Sequence, residues 1–293
     1  MEAAAVPRTP AGIAARIPSP VEEVRDERLG GVRLLLKRDD LIHPEIPGNK
    51  WRKLKYNLAP GRVLTFGGAY SNHIRAVAAA GAACGFETIG VIRGEEHLPL
   101  NPSLAYAVER GMRLAYLDRS AYRRKHTPEV IDALRAEFGD FRLLPEGGSN
   151  AAAVRGCAEI APELDAQLGG RYDLVCCPVG TGGTLAGLAA GLPPGRRAIG
   201  FSALKGGEFL DDEVARLQRE ALGRVTGDWR VECGFHFGGY ARSTPELREF
   251  ADGFAARHGL RLDLVYVAKM MYGIFTLARE LAPGTVVVAV ITG

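Results

Sequence analysis

From Val63 onward the chain alternates short apolar runs with helix-like stretches, and this alternation restricts the fold more than any other feature. Strand-like runs at 63–66, 88–92, 114–117 and 141–144 are each followed by a helical pattern, at 72–84, 103–110, 129–138 and 151–168. The pattern resumes with strands at 173–178, 198–203 and 230–233, interleaved with helices at 185–190 and 209–221. A helix at 245–258, a strand at 262–267, a helix at 269–281 and a last buried strand at 286–291 complete it. Strands with so few polar positions, bounded by helices, predict mostly parallel sheet covered on both faces. So many units exceed one compact sheet. The expectation is an α/β protein of two open, mostly parallel domains with a ligand cleft between them, beyond the carboxyl ends of the strands. The larger domain is expected to comprise residues 1–50 and 146–293, and the smaller one residues 51–145.

Composition supports a globular reading and excludes several functions. With 293 residues and 47% hydrophobic content, the chain can bury a substantial core. Its 37 basic and 34 acidic residues are dispersed, so the net charge of +3 predicts no nucleic-acid partner and no membrane surface. The densest basic cluster, Arg123-Arg124-Lys125-His126, reads as a solvated loop before a Thr127-Pro128-Glu129 helix start. Residues 1–20 lack an apolar stretch of signal-peptide length, and no later run is long enough to span a bilayer, so a cytoplasmic protein is expected. Cys84, Cys157, Cys176, Cys177 and Cys233 show neither metal-ligand spacing nor a disulfide framework, so no metal is expected. Cys176 and Cys177 read as small buried hydrophobes within a strand.

Three segments carry chemistry. The run Pro47-Gly48-Asn49-Lys50-Trp51-Arg52-Lys53-Leu54 links a strand at 32–37 to a helix at 51–58, which puts Lys50 near a helix start after a Pro/Gly turn. In such a basic first turn a lysine is either solvated or, with burial and the positive helix end lowering its pKa, a free amine able to form a Schiff base. Gly180-Thr181-Gly182-Gly183-Thr184 lies between a strand and a helix, where backbone amides wrap an anion; a plain βα turn would also need these glycines. It has neither a Gly-Lys-Ser/Thr ending nor Gly-x-Gly-x-x-Gly spacing. Gly67-Gly68-Ala69-Tyr70-Ser71-Asn72-His73 occupies the equivalent place after the strand at 63–66. There Ser71 and Asn72 either cap the helix or hold a substrate carboxylate and a phenolic oxygen.

A helix-start lysine, a phosphate loop and a Ser-Asn anion pocket together form the parts of a pyridoxal-phosphate enzyme, in which the cofactor supplies the electron sink. The chain resembles the tryptophan-synthase-β-like group (fold type II) of these enzymes, and within it the D-cysteine desulfhydrase and 1-aminocyclopropane-1-carboxylate (ACC) deaminase family. The likeness runs from about Pro18 to the end in unbroken motif order, through Lys37-Arg38-Asp39-Asp40, Gly48-Asn49-Lys50, Ser71-Asn72-His73, Pro145-Glu146-Gly147-Gly148-Ser149-Asn150, the 180–184 loop and Asp263-Leu264-Val265-Tyr266-Val267-Ala268-Lys269.

The resemblance implies roles. Lys50 would bind pyridoxal 5′-phosphate covalently, Asn72 would bond its 3′-oxygen, and Gly180, Thr181, Gly182, Gly183 and Thr184 would hold its phosphate. Ser71, Asn72 and His73 would face the substrate, with Ser71 also near the reacting carbon. Tyr266 matches the tyrosine of the family's Asp-Pro-Val-Tyr segment, Tyr240 resembles the second active-site tyrosine, and Thr292 matches the family's C-terminal threonine near the pyridine nitrogen. A homodimer acting on a small amino acid is implied.

Three departures stand out. Val267 sits where ACC deaminases carry Glu and desulfhydrases a small hydroxyl residue, which disfavours a strongly protonated pyridinium and hence ACC ring opening. Ala268 replaces a glycine before Lys269, and the chain stops at Gly293, one glycine short of its relatives, which is expected to weaken cofactor binding. D-Cysteine desulfhydration is therefore expected, with ACC deamination to 2-oxobutyrate and ammonia, or a catalytically impaired cofactor-binding homologue, as the alternatives.

Overall fold

The computed structural model of the chain describes residues 13–292. The readings that fall on residues 1–12 and on Gly293 lie outside the described residues. The chain divides into two units, one of Arg16–Lys53 with Ser149–Gly293 and a smaller one built mainly of Leu54–Gly148.

The larger unit opens with β1 (Val21–Val24), β2 (Arg33–Lys37) and α1 (Asn49–Lys55), the last of which crosses the boundary between units. In the smaller unit follow β3 (Arg62–Gly67), α2 (Asn72–Cys84), β4 (Glu87–Arg93), α3 (Pro102–Glu109), β5 (Arg113–Leu117), α4 (Arg119–Arg123), α5 (Pro128–Phe138) and β6 (Arg142–Leu144). The larger unit then resumes with α6 (Ala151–Ala158), α7 (Ile160–Leu168), β7 (Leu174–Val179), α8 (Gly183–Gly191), β8 (Arg197–Ser202), α9 (Leu210–Leu222) and β9 (Asp228–Glu232). It closes with α10 (Pro245–His258), α11 (Val267–Leu277) and β10 (Val286–Val290).

The smaller unit has a four-stranded parallel sheet in the order β5-β4-β3-β6. From β3 the chain winds outward through β4 to β5, then returns to place β6 on the opposite side of β3. The order thus reverses at β3, and the crevice at its carboxyl end, where Gly67-Gly68 leads into α2, is where an open α/β sheet takes ligand. Leu64, Phe66, Ile89 and Val91 pack with Ile131, Leu134 and Phe138 of α5 on one face of this sheet. The basic cluster expected as a solvated loop is partly packed: Arg123 ends α4, and Lys125 lies over the buried Tyr122 ring and pairs with Glu146 at 3.1 Å.

The six-stranded sheet of the larger unit runs β1-β2-β10-β7-β8-β9, parallel except for β1. Both faces are buried, and alternate residues serve opposite cores. Val287 and Ala289 of β10 pack with Phe254, Met271 and Phe275, whereas Val286, Val288 and Val290 pack with Leu185, Leu188 and Val214. Cys176 and Cys177 divide between the same two faces. Strand β7 continues to β8 on one side, and the return from β9 inserts β10 on the other. The reversal therefore lies at β7 and β10, where the 180–182 loop and Thr292 emerge side by side.

Three local expectations need correction. The single helix expected over 151–168 is two, α6 and α7, because Pro162 has no N–H for the Ala158 carbonyl but is tolerated in the first turn of a new helix. The strand expected at 262–267 is a turn: the Asp263 carboxylate accepts the N–H groups of Val265, Tyr266 and Val267 (2.8–3.1 Å) and so starts α11 at Val267. Helix α1 begins at Asn49 rather than 51, which brings Lys50 inside it. Strand β1 has no counterpart in the sequence reading; its exposed Glu22 and Glu23 hide the pattern of an antiparallel edge.

Candidate active site

In the larger unit the Gly180–Gly183 turn joins β7 to α8, and Gly182 occupies the left-handed region at φ 76°. Two further positions need glycine for space. A Cβ on Gly183 would lie 2.6 Å from Ser149 Oγ and 3.3 Å from Lys53 Cε, and one on Gly180 would lie 3.1 Å from the Tyr266 hydroxyl. Around this turn polar groups converge. Ser149 Oγ and Thr181 Oγ1 share a hydrogen bond of 2.6 Å, and Lys53 Nζ donates to both at 3.1 and 3.5 Å. A buried ammonium, two hydroxyls and a helix N-terminus with no side chain in the way form a cradle suited to a phosphate group. Sequence reading missed Lys53 and Ser149; the signal for Lys53 was its place one helical turn after Lys50.

Lys50 is held toward this cradle by a relay. Its Nζ donates to Asn49 Oδ1 (3.1 Å), and Asn49 Nδ2 donates to Thr184 Oγ1 (2.9 Å). Gly48, at φ 59°, lies so close to the Thr292 carbonyl that any Cβ there would collide with it, so the lysine turn and the end of β10 are locked together. Burial, and next the positive charge of Lys53, lowers the Lys50 pKa from its ordinary 10.5 to about 7; Cys157 and Asp263 oppose this. Burial also lowers the pKa of Lys53. Burial, aided by the Lys53 charge, therefore leaves Lys50 with an appreciable neutral-amine fraction at physiological pH, which nucleophilic and general-base chemistry require.

Farther along, Tyr266 lies against Gly180, and its ring meets Tyr240 edge-on at 5.9 Å between centroids. Tyr266 is half-buried and Tyr240 is 41% exposed. Val267 turns into the core, and Thr292 is buried at the end of β10. Lys50, Thr181, Thr184, Tyr240, Tyr266 and Thr292 thus all belong to the larger unit.

Ser71, Asn72 and His73 belong to the smaller unit. Ser71 caps α2, its Oγ accepting the Ile74 N–H at 3.3 Å, and a Cβ on Gly67 would press on it at 2.9 Å. His73 is buried, with Nε2 at 2.8 Å from Thr65 Oγ1, which donates to the Leu144 carbonyl. Its ring therefore braces α2 against β3 and β6 of its own unit.

The family described as pyridoxal-phosphate-dependent enzymes matches the chain over residues 14–293. The chain belongs to this family. A Pyrococcus horikoshii protein provisionally named 1-aminocyclopropane-1-carboxylate deaminase is 31% identical over 275 residues, 90% of this chain and 85% of that protein. The mitochondrial bifunctional D-cysteine desulfhydrase/1-aminocyclopropane-1-carboxylate deaminase of Arabidopsis thaliana is 30% identical over 285 residues, 89% of this chain and 71% of that protein. The crystal structure of an ACC deaminase homologue superposes with a TM-score of 0.84 at 27% identity, covering 98% of this chain and 92% of the other. This is the tryptophan-synthase-β-like, type II fold. Pyridoxal phosphate fits the donor set: the glycine-lined cradle with Lys53, Ser149 and Thr181 matches its phosphate, and Lys50 offers an unprotonated amine for its aldehyde. No helix among the described residues of this enzyme is long and apolar enough to cross a membrane.

Proposed function

We propose that the enzyme is a lyase that converts D-cysteine and water to pyruvate, hydrogen sulfide and ammonia. The observation that carries this reading is the Lys50 amine, with a pKa near 7, held beside a phosphate cradle. When bound, pyridoxal phosphate supplies the electron sink that makes a substrate Cα–H acidic. Gly180 to Thr184, Lys53 and Ser149 would hold its phosphate, Asn72 would bond its 3′-oxygen, and Thr292 would lie toward its ring nitrogen. Ser71 binds the substrate carboxylate, with the start of α2 around Asn72 and His73 adding a favourable dipole; His73 contributes through its backbone, since its ring serves Thr65.

Lys50 Nζ removes the Cα proton as general base. The Cβ–S bond then breaks, and a tyrosine hydroxyl, Tyr266 with Tyr240 at its edge, delivers the proton that lets sulfide leave. The resulting enamine hydrolyses to pyruvate and ammonia. Val267 favours this reaction over ring opening of ACC, because an apolar side chain at that position provides no carboxylate for a stronger electron sink. The same reading places the enzyme in the cytoplasm as a homodimer.

The names of the relatives support ACC deamination as a second reading. Assays of the loaded enzyme on D-cysteine and on ACC separate the two. Pyruvate and sulfide in equal amounts from D-cysteine, with no 2-oxobutyrate from ACC, is the expected result. 2-Oxobutyrate from ACC alone would overturn the choice, and no product from either substrate would point to an impaired homologue.

A further inference from the structure

Lys269 is 1% exposed, and among the described residues no carboxylate lies within ion-pair distance of it. Its Nζ instead donates to two backbone carbonyls, Gly239 at 2.7 Å and Ala203 at 3.4 Å. Burial lowers its pKa, and the more distant Asp263 charge opposes that. A buried amine is costly, so its retention calls for a role in what it holds.

It holds the Tyr240 loop. Between β9 and α10 the backbone of this loop takes positive φ at Phe237 (48°), Gly238 (92°), Gly239 (106°) and Ala241 (54°). Two of these are not glycine, a conformation that costs free energy and persists only where surrounding contacts enforce it. Inside the loop the Gly239 carbonyl also accepts the Arg242 N–H at 3.1 Å, so Lys269 grips the oxygen on which the turn around Tyr240 closes. Gly239 itself packs on Lys205, where a Cβ would come within 3.2 Å of the Lys205 Cβ. Lys269 lies one turn after Tyr266 in α11, and Ala203 follows β8, so one side chain ties both tyrosines and a central strand together.

We propose that Lys269 is a positioning residue that sets Tyr240 against Tyr266 through the Gly239 carbonyl. Its kinetic consequence rests on the reading that these tyrosines serve the reaction; its structural consequence does not. The test is Lys269→Met in the loaded enzyme. Arg242 is exposed, so trypsin can report the loop directly. Cleavage after Arg242, followed by mass spectrometry, is expected to accelerate about tenfold or more, because protease attack follows local opening. Far-UV circular dichroism should stay unchanged. On D-cysteine, Lys269→Met and Tyr240→Phe should each lower kcat/KM, and Lys269→Met should add less than about twofold in the Tyr240→Phe background, the non-additivity of coupled residues.

An unchanged cleavage rate in a folded Lys269→Met protein overturns the proposal, and so do multiplicative kinetic effects of the two substitutions. Should Lys269→Met fail to fold, Lys269→Leu, which likewise removes the donor to the Gly239 carbonyl, replaces it with the same expectations. In the unsubstituted enzyme the Arg242 amide should exchange at least about 100-fold slower than an open chain, and exchange at the open-chain rate overturns the anchor. If no substrate turns over, proteolysis and exchange still decide whether Lys269 holds the loop.

Discussion

At the residue scale the decisive quantity is the ionisation of Lys50. With a pKa near 7 in the fold against an ordinary 10.5, the unfolded chain binds more protons between those two values. The sign follows: this group makes the cofactor-free protein more stable as pH rises from about 7 to about 10.5, and its cost is fully present below 7. Amine-selective acetylation of cofactor-free protein, read by mass spectrometry, should show half-maximal reactivity of Lys50 near pH 7, whereas exposed lysines titrate at about 10.4. A Lys50 profile that matches the exposed lysines would contradict the burial argument. Lys50 was legible because Gly48 and Asn49 surround it with turn and helix-start signals. Lys53 and Ser149 were not, because their partnership spans 96 residues of sequence and arises only when α1 and the start of α6 meet. For His73 the sequence suggests a place facing substrate, and the fold adds the bond between its Nε2 and Thr65, which no local pattern announces.

At the element scale, Gly183 meets a steric need that periodicity cannot announce. Gly183→Ala puts a methyl group against Ser149 and Lys53 in the cradle, and is expected to weaken pyridoxal-phosphate binding roughly 5- to 150-fold with little change in fold, as a cost of about 1–3 kcal/mol from overpacking confined to the site. Fluorescence titration with the cofactor checks it. The βα order, the two glycine loops and the ends of α2 and α10 could be read directly, since caps such as Ser71 and Thr244 and the terminal glycines Gly85 and Gly259 are local signals. The turn at 262–266 could not. Its apolar residues imitate a strand, and it is the Asp263 carboxylate, by capturing three successive N–H groups, that begins α11 and fixes Tyr266.

At the scale of the whole molecule, the residues of the phosphate cradle and its lysine all come from the larger unit, although α1 and α6 to α8 that carry them are separated by the entire smaller unit in sequence. A buried charge network fastens that split. Arg52, 1% exposed, makes paired hydrogen bonds to Asp39 (2.6 and 2.8 Å) and to Glu163 (both 2.9 Å), and Lys37 reaches Glu163 at 2.8 Å. Arg52→Met would leave the fully buried Asp39 carboxylate without its guanidinium and is expected to cost about 3–5 kcal/mol, measured by urea unfolding. Two sheets were foreseeable from the number of strands, but Asp39, Arg52 and Glu163 gave no sign of being one cluster, because residues this far apart share no local pattern.

The proposed chemistry turns on Lys50 being the lysine that carries the cofactor. Its most direct test is borohydride reduction of the enzyme loaded with pyridoxal phosphate, followed by proteolysis and mass spectrometry of every lysine-containing peptide. A single phosphopyridoxyl group on Lys50 is the result expected. The same group on Lys53, Lys269 or any other lysine, with Lys50 unmodified, would contradict the account.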